Sequence, residues 1–206
     1  KNKEDLCYWR GALTGTASLK INEIKNKDFY IKTILDPDTL GRMKLCFFNN
    51  KIKGCDFKLT RAGQWLWSSE IIERLKEINF YSDEEPFEWN YKFKYLIDID
   101  GNSNSWPGLF MKLCSGSCIL KVDSKYNYYQ WFYKYSKPWI HFVPINSDLS
   151  DLYEKLNYLR KNEDIGRRIA QNSEEFFSNK NYEEWEDLSI ESLNESLKNY
   201  PDIGIL

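Results

Sequence analysis

The chain has 206 residues, enough for one large domain with a buried core. Its apolar fraction of 42% and charged fraction of 29% exclude an intrinsically disordered protein. A formal net charge of −2 argues against a nucleic-acid binder. We expect no transmembrane segment, because no apolar run is long enough to cross a bilayer. Five cysteines without metal-ligand spacing favour a reducing compartment, although one or two disulfides remain compatible with the sequence.

The first predicted element is a strand over residues 6–10, which ends at Gly11. Residues 11–16 supply two glycines and two threonines, Thr14 among them, in a turn of the kind that cradles a phosphate. Arg10 at the strand end is a candidate anion partner, with an ordinary surface arginine as the equally weighted alternative. The turn lacks both a GxGxxG pattern and a P-loop lysine.

Several helices and strands are predicted between this turn and the centre of the chain. A helix can open over residues 18–25. Apolar residues at helical spacing predict a helix over residues 68–78. An acidic, proline-containing connection then leads to the central strand. The other predicted segments are 29–35 and 43–48, each a helix or a strand, and a strand over 52–59.

The most informative stretch is a strand, loop, helix and strand in the middle of the chain. Gly101 ends a run of alternating apolar residues, and Pro107 is suited to the first turn of a helix. The connection has the length of a parallel crossover. Its predicted elements are a strand over 95–100, a polar loop over 102–105, a helix over 108–114 and a strand over 118–122.

Polar residues gather where the first of these strands ends and the helix begins. Ligands of open α/β sheets bind at the carboxyl ends of strands, and the free N–H groups of a helix start favour an anion. Asp98 and Asp100 lie two apart on a strand and could together chelate a divalent ion. No third ligand lies nearby in the sequence, so we predict no metal. His141, the single histidine, is interpreted as structural, because no nucleophile motif accompanies it.

An aromatic passage over residues 126–139 opens the C-terminal third. Tyr126 and Trp131 are candidates for stacking on a nucleobase or a sugar, with core packing as the equally weighted alternative. The remaining predicted elements are a strand over 140–143, a well-capped helix opening at 148–152, and helices over 164–177 and 182–200.

Together these motifs resemble glycosyltransferase family 90, which includes bacterial lipopolysaccharide A proteins, fungal capsule-associated xylosyltransferases and animal protein O-glucosyltransferases. Order and spacing agree from Trp9 to about Phe177. The segments that carry the resemblance are residues 9–11 (WRG), 95–102 (YLIDIDGN), 115–117 (SGS), 137–144 (KPWIHFVP), 148–152 (DLSDL) and 168–170 (RIA).

The resemblance implies an α/β fold with a Rossmann-like parallel sheet flanked by helices, the donor-binding C-terminal domain of a GT-B glycosyltransferase. Residues 1–178 would form this domain, and residues 179–206 a helical tail packing on it or on an N-terminal domain. The implied reaction is inverting, metal-independent transfer from a UDP-sugar to a hydroxyl of a glycan, lipopolysaccharide or protein, without a further cofactor. The residues that the resemblance assigns to the donor are Arg10, Gly11, Asp100, Gly101, Asn102 and Ser103.

We expect a cytoplasmic protein, free or peripheral to a membrane, or a protein of the ER or Golgi lumen in a eukaryote.

The chain departs from the family pattern next to the Asp-Gly loop. An arginine usual at the start of the following helix is replaced by residues 107–109, Pro-Gly-Leu. Lys112 is the nearest cation on the same helix face and is expected to take its place. We therefore expect Arg10 to be the main phosphate-binding cation and Lys112 an auxiliary one.

Two further departures concern the first turn and the catalytic base. The animal members have a serine and a later arginine after Arg-Gly, where this chain has Ala12 and Ser18, with Lys20 the nearest cation. The family's aspartate base lies upstream of the turn and has no convincing equivalent here. The sequence begins at Lys1 in mid-pattern, so we interpret it as a fragment whose base lies upstream.

Two alternatives belong to other classes of protein. A non-catalytic module that binds a nucleotide-sugar or a carbohydrate would explain the missing arginines and base. A nucleic-acid binder using the aromatic passage is disfavoured by the negative net charge.

Overall fold

Five parallel strands form the sheet of the computed structural model, which describes residues 2–15, 24–63 and 65–199. The order of the strands across the sheet is β2-β1-β3-β4-β5. The strands are β1 Glu4–Ala12, β2 Cys55–Arg61, β3 Phe93–Asp98, β4 Cys118–Val122 and β5 Val143–Ile145.

Helices cover both faces of this sheet in the described part of the chain. One face packs against the first three helices and the fifth, and the other face packs against the fourth helix and an aromatic cluster. The sixth helix contributes to both cores. The aromatic cluster consists of Phe132, Tyr133, Phe142 and Phe177. This Rossmann-like α/β arrangement confirms the predicted fold class. The helices are α1 Lys27–Ile34, α2 Gly41–Phe47, α3 Ser68–Glu77, α4 Trp106–Leu113, α5 Leu152–Lys161, α6 Glu163–Ser178 and α7 Tyr182–Asn199.

The central strands are apolar on both faces, as a parallel sheet between two helix layers requires. In β1, Cys7 and Trp9 belong to the core under α1–α3, while Tyr8 belongs to the core under α4. In β3, Ile97 and Leu96 divide in the same way, and both are fully buried.

The order of the strands reverses between β1 and β3. The chain adds β2 on one side of β1 and then crosses to place β3 on the other side. At such a point the connections leave the sheet in opposite directions and open a crevice at the carboxyl ends of the two strands. The loops after β1 and β3 therefore meet at one edge of the sheet.

The structure confirms the predicted central unit, with β3, α4 and β4 in the predicted order. The two segments that fitted a helix or a strand are the helices α1 and α2. The first strand and the helix α3 are also confirmed, and β2 begins later than predicted, at Cys55. The segment predicted to open a helix at residues 18–25 lies mostly outside the described residues.

Two predictions in the C-terminal part, a strand boundary and a helix cap, are wrong. The strand predicted over residues 140–143 begins only at Val143, because Trp139 takes a positive φ of 62° and its N–H donates to the Phe142 carbonyl in a turn. The predicted cap of α5 is also absent. The helix follows Asp151, whose carboxylate accepts from the Asn146 N–H instead of capping the helix.

The last helix, α7, packs on the aromatic passage. Trp185 of α7 lies 5.9 Å between ring centroids from Trp131 and 5.0 Å from Phe110 of α4. The division of the chain into a domain over 1–178 and a tail over 179–206 stays a prediction. None of the helices in the described part has the length and hydropathy of a membrane span.

Candidate functional site

The loops after β1 and β3 meet at the carboxyl edge of the sheet. The Gly15 N–H donates to the side-chain oxygen of Asn102 over 3.1 Å. Gly101 allows a close approach, because a Cβ there would lie 2.5 Å from Thr14 Oγ1 and 2.9 Å from Arg42 Nη2. Two segments predicted separately to face a donor are thus joined in one place.

An arginine from α2 holds the two loops together. Arg42 donates to the carbonyls of Asp100 (3.0 Å) and Ile99 (3.1 Å) on one loop. On the other loop it donates to the Ala12 carbonyl and to Thr14 Oγ1, both over 3.0 Å. Burial lowers its pKa to about 10, although the neighbouring aspartates act in the opposite direction.

Sequence reasoning did not find Arg42. It lies on a short helix, 30 residues from its partner Ala12 and 57 from its partner Ile99, and belongs to no motif. No pattern in the sequence shows that these segments meet. Only the reversal of strand order brings them within reach of one guanidinium.

Around these loops lies a cleft of about 630 Å³. It is lined by most of the residues predicted to bind a donor, and Arg42, Arg61, Glu84 and Glu85 add to them. Asp100, Tyr126 and Trp131 are not among the lining residues. The predicted site residues that line the cleft are Arg10, Gly11, Thr14, Gly101, Asn102, Ser103 and Lys112.

Arg10 points its guanidinium at two carboxylates. Its Nη2 lies 2.6 Å from Asp56 Oδ2, and its Nε lies 3.7 Å from Glu85 Oε2. The same guanidinium stacks on the ring of Tyr8, 4.4 Å from the centroid. The side chain is 14% exposed, and the two carboxylates compensate its charge within the protein. Its role toward a phosphate stays a prediction.

Lys112 is also engaged. Its ammonium donates to Asp98 Oδ1 and to the Ile97 carbonyl, both over 2.9 Å, and Ser105 Oγ donates to the same carboxylate oxygen over 2.7 Å. Burial alone would raise the pKa of Asp98, but Lys112 and Ser105 outweigh it and hold this pKa below its usual value. The auxiliary role of Lys112 at a phosphate stays a prediction.

Asp100 lies at the rim of the sheet beside Asp98. Burial raises its pKa, against the opposing effects of Ser124 and Lys121. Its Oδ2 has no hydrogen-bond partner among the described residues. Within that part of the chain no group of three or more histidine, cysteine or acidic side chains is arranged to hold a metal ion.

The two candidate stacking residues lie in different surroundings. Trp131 is half-buried against Phe132 and Trp185, with ring centroids at 5.7 and 5.9 Å. Tyr126 is 42% exposed and lies 5.6 Å from the Tyr128 ring. Their role in stacking stays a prediction. Lys20 lies outside the described residues.

The predicted structural role of His141 agrees with its contacts. Its Nδ1 accepts the Lys137 N–H over 3.0 Å, and its ring stacks on Phe176 at 5.0 Å.

A larger cavity of about 820 Å³ lies at the opposite edge of the sheet, beside Lys3 and Arg167, and contains none of the predicted site residues.

The model of glycosyl transferase family 90 matches residues 1–184. The chain belongs to this family. The match confirms the resemblance carried by the Arg-Gly, Asp-Gly-Asn and Ser-Gly-Ser segments.

Individual relatives match a shorter part of the chain. The uncharacterized protein 179R of Invertebrate iridescent virus 6 is 40% identical over 91 residues, which are 42% of this chain and 8% of that protein. Protein O-glucosyltransferase 1 of Rattus norvegicus is 34% identical over 88 residues, 43% of this chain and 22% of the relative. Protein O-glucosyltransferase 3 of Homo sapiens is 38% identical over 80 residues, 39% of this chain and 15% of the relative. The matched part is therefore less than a quarter of each of these relatives.

Proposed function

We propose that this chain is the donor-binding part of a glycosyltransferase that moves a sugar from a UDP-sugar to a hydroxyl of a glycan, lipopolysaccharide or protein. The observation that carries the proposal is the contact between the loops after β1 and β3 at the reversal of strand order. Open α/β sheets bind nucleotides at this position. Membership of family 90 supports the sugar as the transferred group.

In this proposal the cleft binds the donor and leaves the catalytic base to another part of the protein. The loop residues Gly11, Thr14, Gly101 and Asn102 line the crevice where backbone can approach a diphosphate closely. We infer that the domain is the C-terminal half of a GT-B enzyme. The names of the rat and human relatives support glucose as the first sugar to test and a protein as the first acceptor.

Metal independence and inversion at the transferred carbon are part of the proposal. The carboxylate of Asp98 is neutralised by Lys112 and receives a hydrogen bond from Ser105, which disfavours its use as a ligand for Mg²⁺. The positive charge that a diphosphate needs would then come from side chains of the cleft. Location in the cytoplasm, at a membrane surface or in the ER or Golgi lumen stays a prediction.

Calorimetric titration of the 206-residue chain tests the proposal. UDP, UDP-glucose and UDP-xylose should bind without added metal, in the presence of EDTA, and CDP should bind more weakly. Failure of every uridine nucleotide to bind would contradict a donor site. Binding of the donor without any transfer, once a full-length protein is supplied with acceptors, would favour the non-catalytic alternative.

A glycine pair gives a matched control for the position of the site. Gly101→Ala places a methyl 2.5 Å from Thr14 Oγ1, so we expect UDP affinity to fall about tenfold, as overpacking costs about 1–3 kcal/mol. Gly166→Ala adds the same methyl where the nearest atom, in Tyr95, lies 3.5 Å away, and should leave affinity unchanged. Equal effects of the two substitutions would place the site elsewhere.

A further inference from the structure

The cations that line the cleft differ in how their charges are compensated. Arg10 lies against the carboxylates of Asp56 and Glu85, and Lys112 lies against that of Asp98. Arg61, 70% exposed, pairs with Glu84. Each of these side chains therefore already has an anionic partner.

Arg42 is the exception among the described cations that line the cleft. Its four acceptors are three backbone carbonyls and one hydroxyl, all of them neutral. No ion pair of the described residues includes it. A guanidinium has five N–H groups, and these four bonds leave one, on Nη2, without an acceptor in the described part of the chain.

The position of this guanidinium brings its charge to the wall of the cleft. Nη2 lies 2.9 Å from where a Cβ of Gly101 would stand, so a side chain at this position would collide with the guanidinium. Arg42 is itself a lining residue. Burial without a contacting carboxylate is costly for a cation, and burial lowers the pKa of this one to about 10. A bound anion would relieve that cost.

We propose that Arg42 binds the diphosphate of the nucleotide donor. Its positive charge is available to the donor, whereas the other cations of the cleft are already paired with carboxylates. This inference rests on the proposed function, since it needs a donor with a diphosphate in the cleft. The remaining N–H and the positive charge suit the guanidinium to a phosphate oxygen, because a hydrogen bond between two charged groups is stronger than one between neutral groups. The same four hydrogen bonds that join the two loops fix the orientation of the group before the donor arrives.

The test compares ligands that differ only in phosphate. Uridine, UMP and UDP are titrated calorimetrically into the wild-type chain and into Arg42→Gln, Arg42→Lys and Arg74→Gln. Arg74 is an exposed residue of α3 that pairs with Glu77, so Arg74→Gln matches the change in net charge away from the cleft. Circular dichroism and thermal unfolding establish which variants are folded.

We expect Arg42→Gln to weaken UDP binding at least about 30-fold, as for losing one partner of a buried charge pair. The affinity for uridine should change less than about threefold, since a nucleoside has no charge to pair with the guanidinium. Arg42→Lys keeps the charge and should recover part of the UDP affinity. Arg74→Gln should bind all three ligands as the wild type does.

Other results would overturn the inference. If Arg42→Gln and Arg42→Lys weaken uridine and UDP by the same factor, Arg42 only holds the loops. If wild-type protein binds no uridine nucleotide at all, the proposed function itself fails, and this is seen without any variant.

The wild-type protein gives a second measurement that remains valid if Arg42→Gln does not fold. The guanidinium ¹⁵Nε signal of Arg42, assigned by its disappearance in Arg42→Lys, should shift on addition of UDP and stay unmoved with uridine. A signal that ignores UDP at saturation would contradict the inference.

Discussion

The ammonium of Lys112 lies 2.9 Å from the carboxylate of Asp98, and the side chain of Asp98 is 1% exposed. This pair joins α4 to the end of β3 directly beneath the loop over residues 99–105. The ion pair thus stabilises the part of the fold that positions this loop of the candidate site. Removing either partner leaves a charge without compensation in the core.

Lys112→Ala should therefore act on stability. We expect the free energy of unfolding to fall by about 3–5 kcal/mol, because Asp98 is left charged and buried. Urea denaturation followed by circular dichroism measures the change. The double variant Asp98→Asn with Lys112→Ala should regain part of the loss. A loss below about 1 kcal/mol for Lys112→Ala would show that the pair is worth no more than an exposed one.

Low pH should weaken the same pair. The pKa of Asp98 is held below its unfolded value, so its contribution to stability is present above that unfolded value and is lost as the pH falls through the folded one. Unfolding curves in the acid range, compared between wild type and the Asp98→Asn, Lys112→Met double variant, should differ in their slope with pH. Parallel curves would contradict the assignment.

His141 predicts a second pH dependence, nearer neutrality. Burial, together with the charge of Lys137, lowers its pKa, so the neutral ring is the form that the fold prefers. Its contribution is present above the unfolded value and lost as the pH falls below it, with a slope of at most about 1.4 kcal/mol per pH unit. Thermal unfolding of wild type and His141→Gln at pH 7.5 and 5.5 measures it. Identical pH responses would contradict this prediction, since the chain has a single histidine.

Arg10→Ala tests the expectation drawn from the Arg-Gly turn. If Arg10 contacts the donor phosphates, UDP binding should weaken by about 2–4 kcal/mol. Because Asp56 competes for the same guanidinium, Asp56→Asn should then strengthen UDP binding. Calorimetry on both variants provides the measurement. Near-normal affinity in Arg10→Ala would show that the arginine serves only its contacts with Asp56 and Glu85.

Trp131→Ala distinguishes core packing from stacking on the donor as the role of Trp131. Packing against Trp185 predicts a loss of stability of about 2–4 kcal/mol for this substitution. A stacking role predicts in addition a weaker affinity for UDP-glucose and a change of tryptophan fluorescence on binding. Trp89→Ala, at a more exposed residue (39%), is the control and should cost less stability than Trp131→Ala. Unchanged donor affinity in folded Trp131→Ala would remove Trp131 from the site.

Local patterns in the sequence predicted the central unit well for a physical reason. Alternation up to Asp98, a polar loop and Pro107 all favour the same elements, and the burial of β3 on both faces agrees with them. The strand predicted over residues 140–143 was wrong because the turn at Trp139 depends on a positive φ that residue type did not reveal.

Charge compensation could not be predicted from local patterns. Asp98 and Asp100 suggested a possible metal pair because their spacing puts them on one face of a strand. Which cation faces each carboxylate depends on the packing of α4 and α2 on the sheet. The pairing of Lys112 with Asp98 and the hydrogen bonds from Arg42 to the two loops are evident only in the three-dimensional structure.

The placement of β3 beside β1 has a consequence for synthesis of the protein. About eighty residues separate the two strands in the sequence, so during synthesis β2 is available to pair with β1 before β3 has been made. Contacts so distant in sequence form late. Until β3 has been made, the edge of β1 that β3 covers lacks this partner, and an unpaired strand edge is a site at which chains can aggregate.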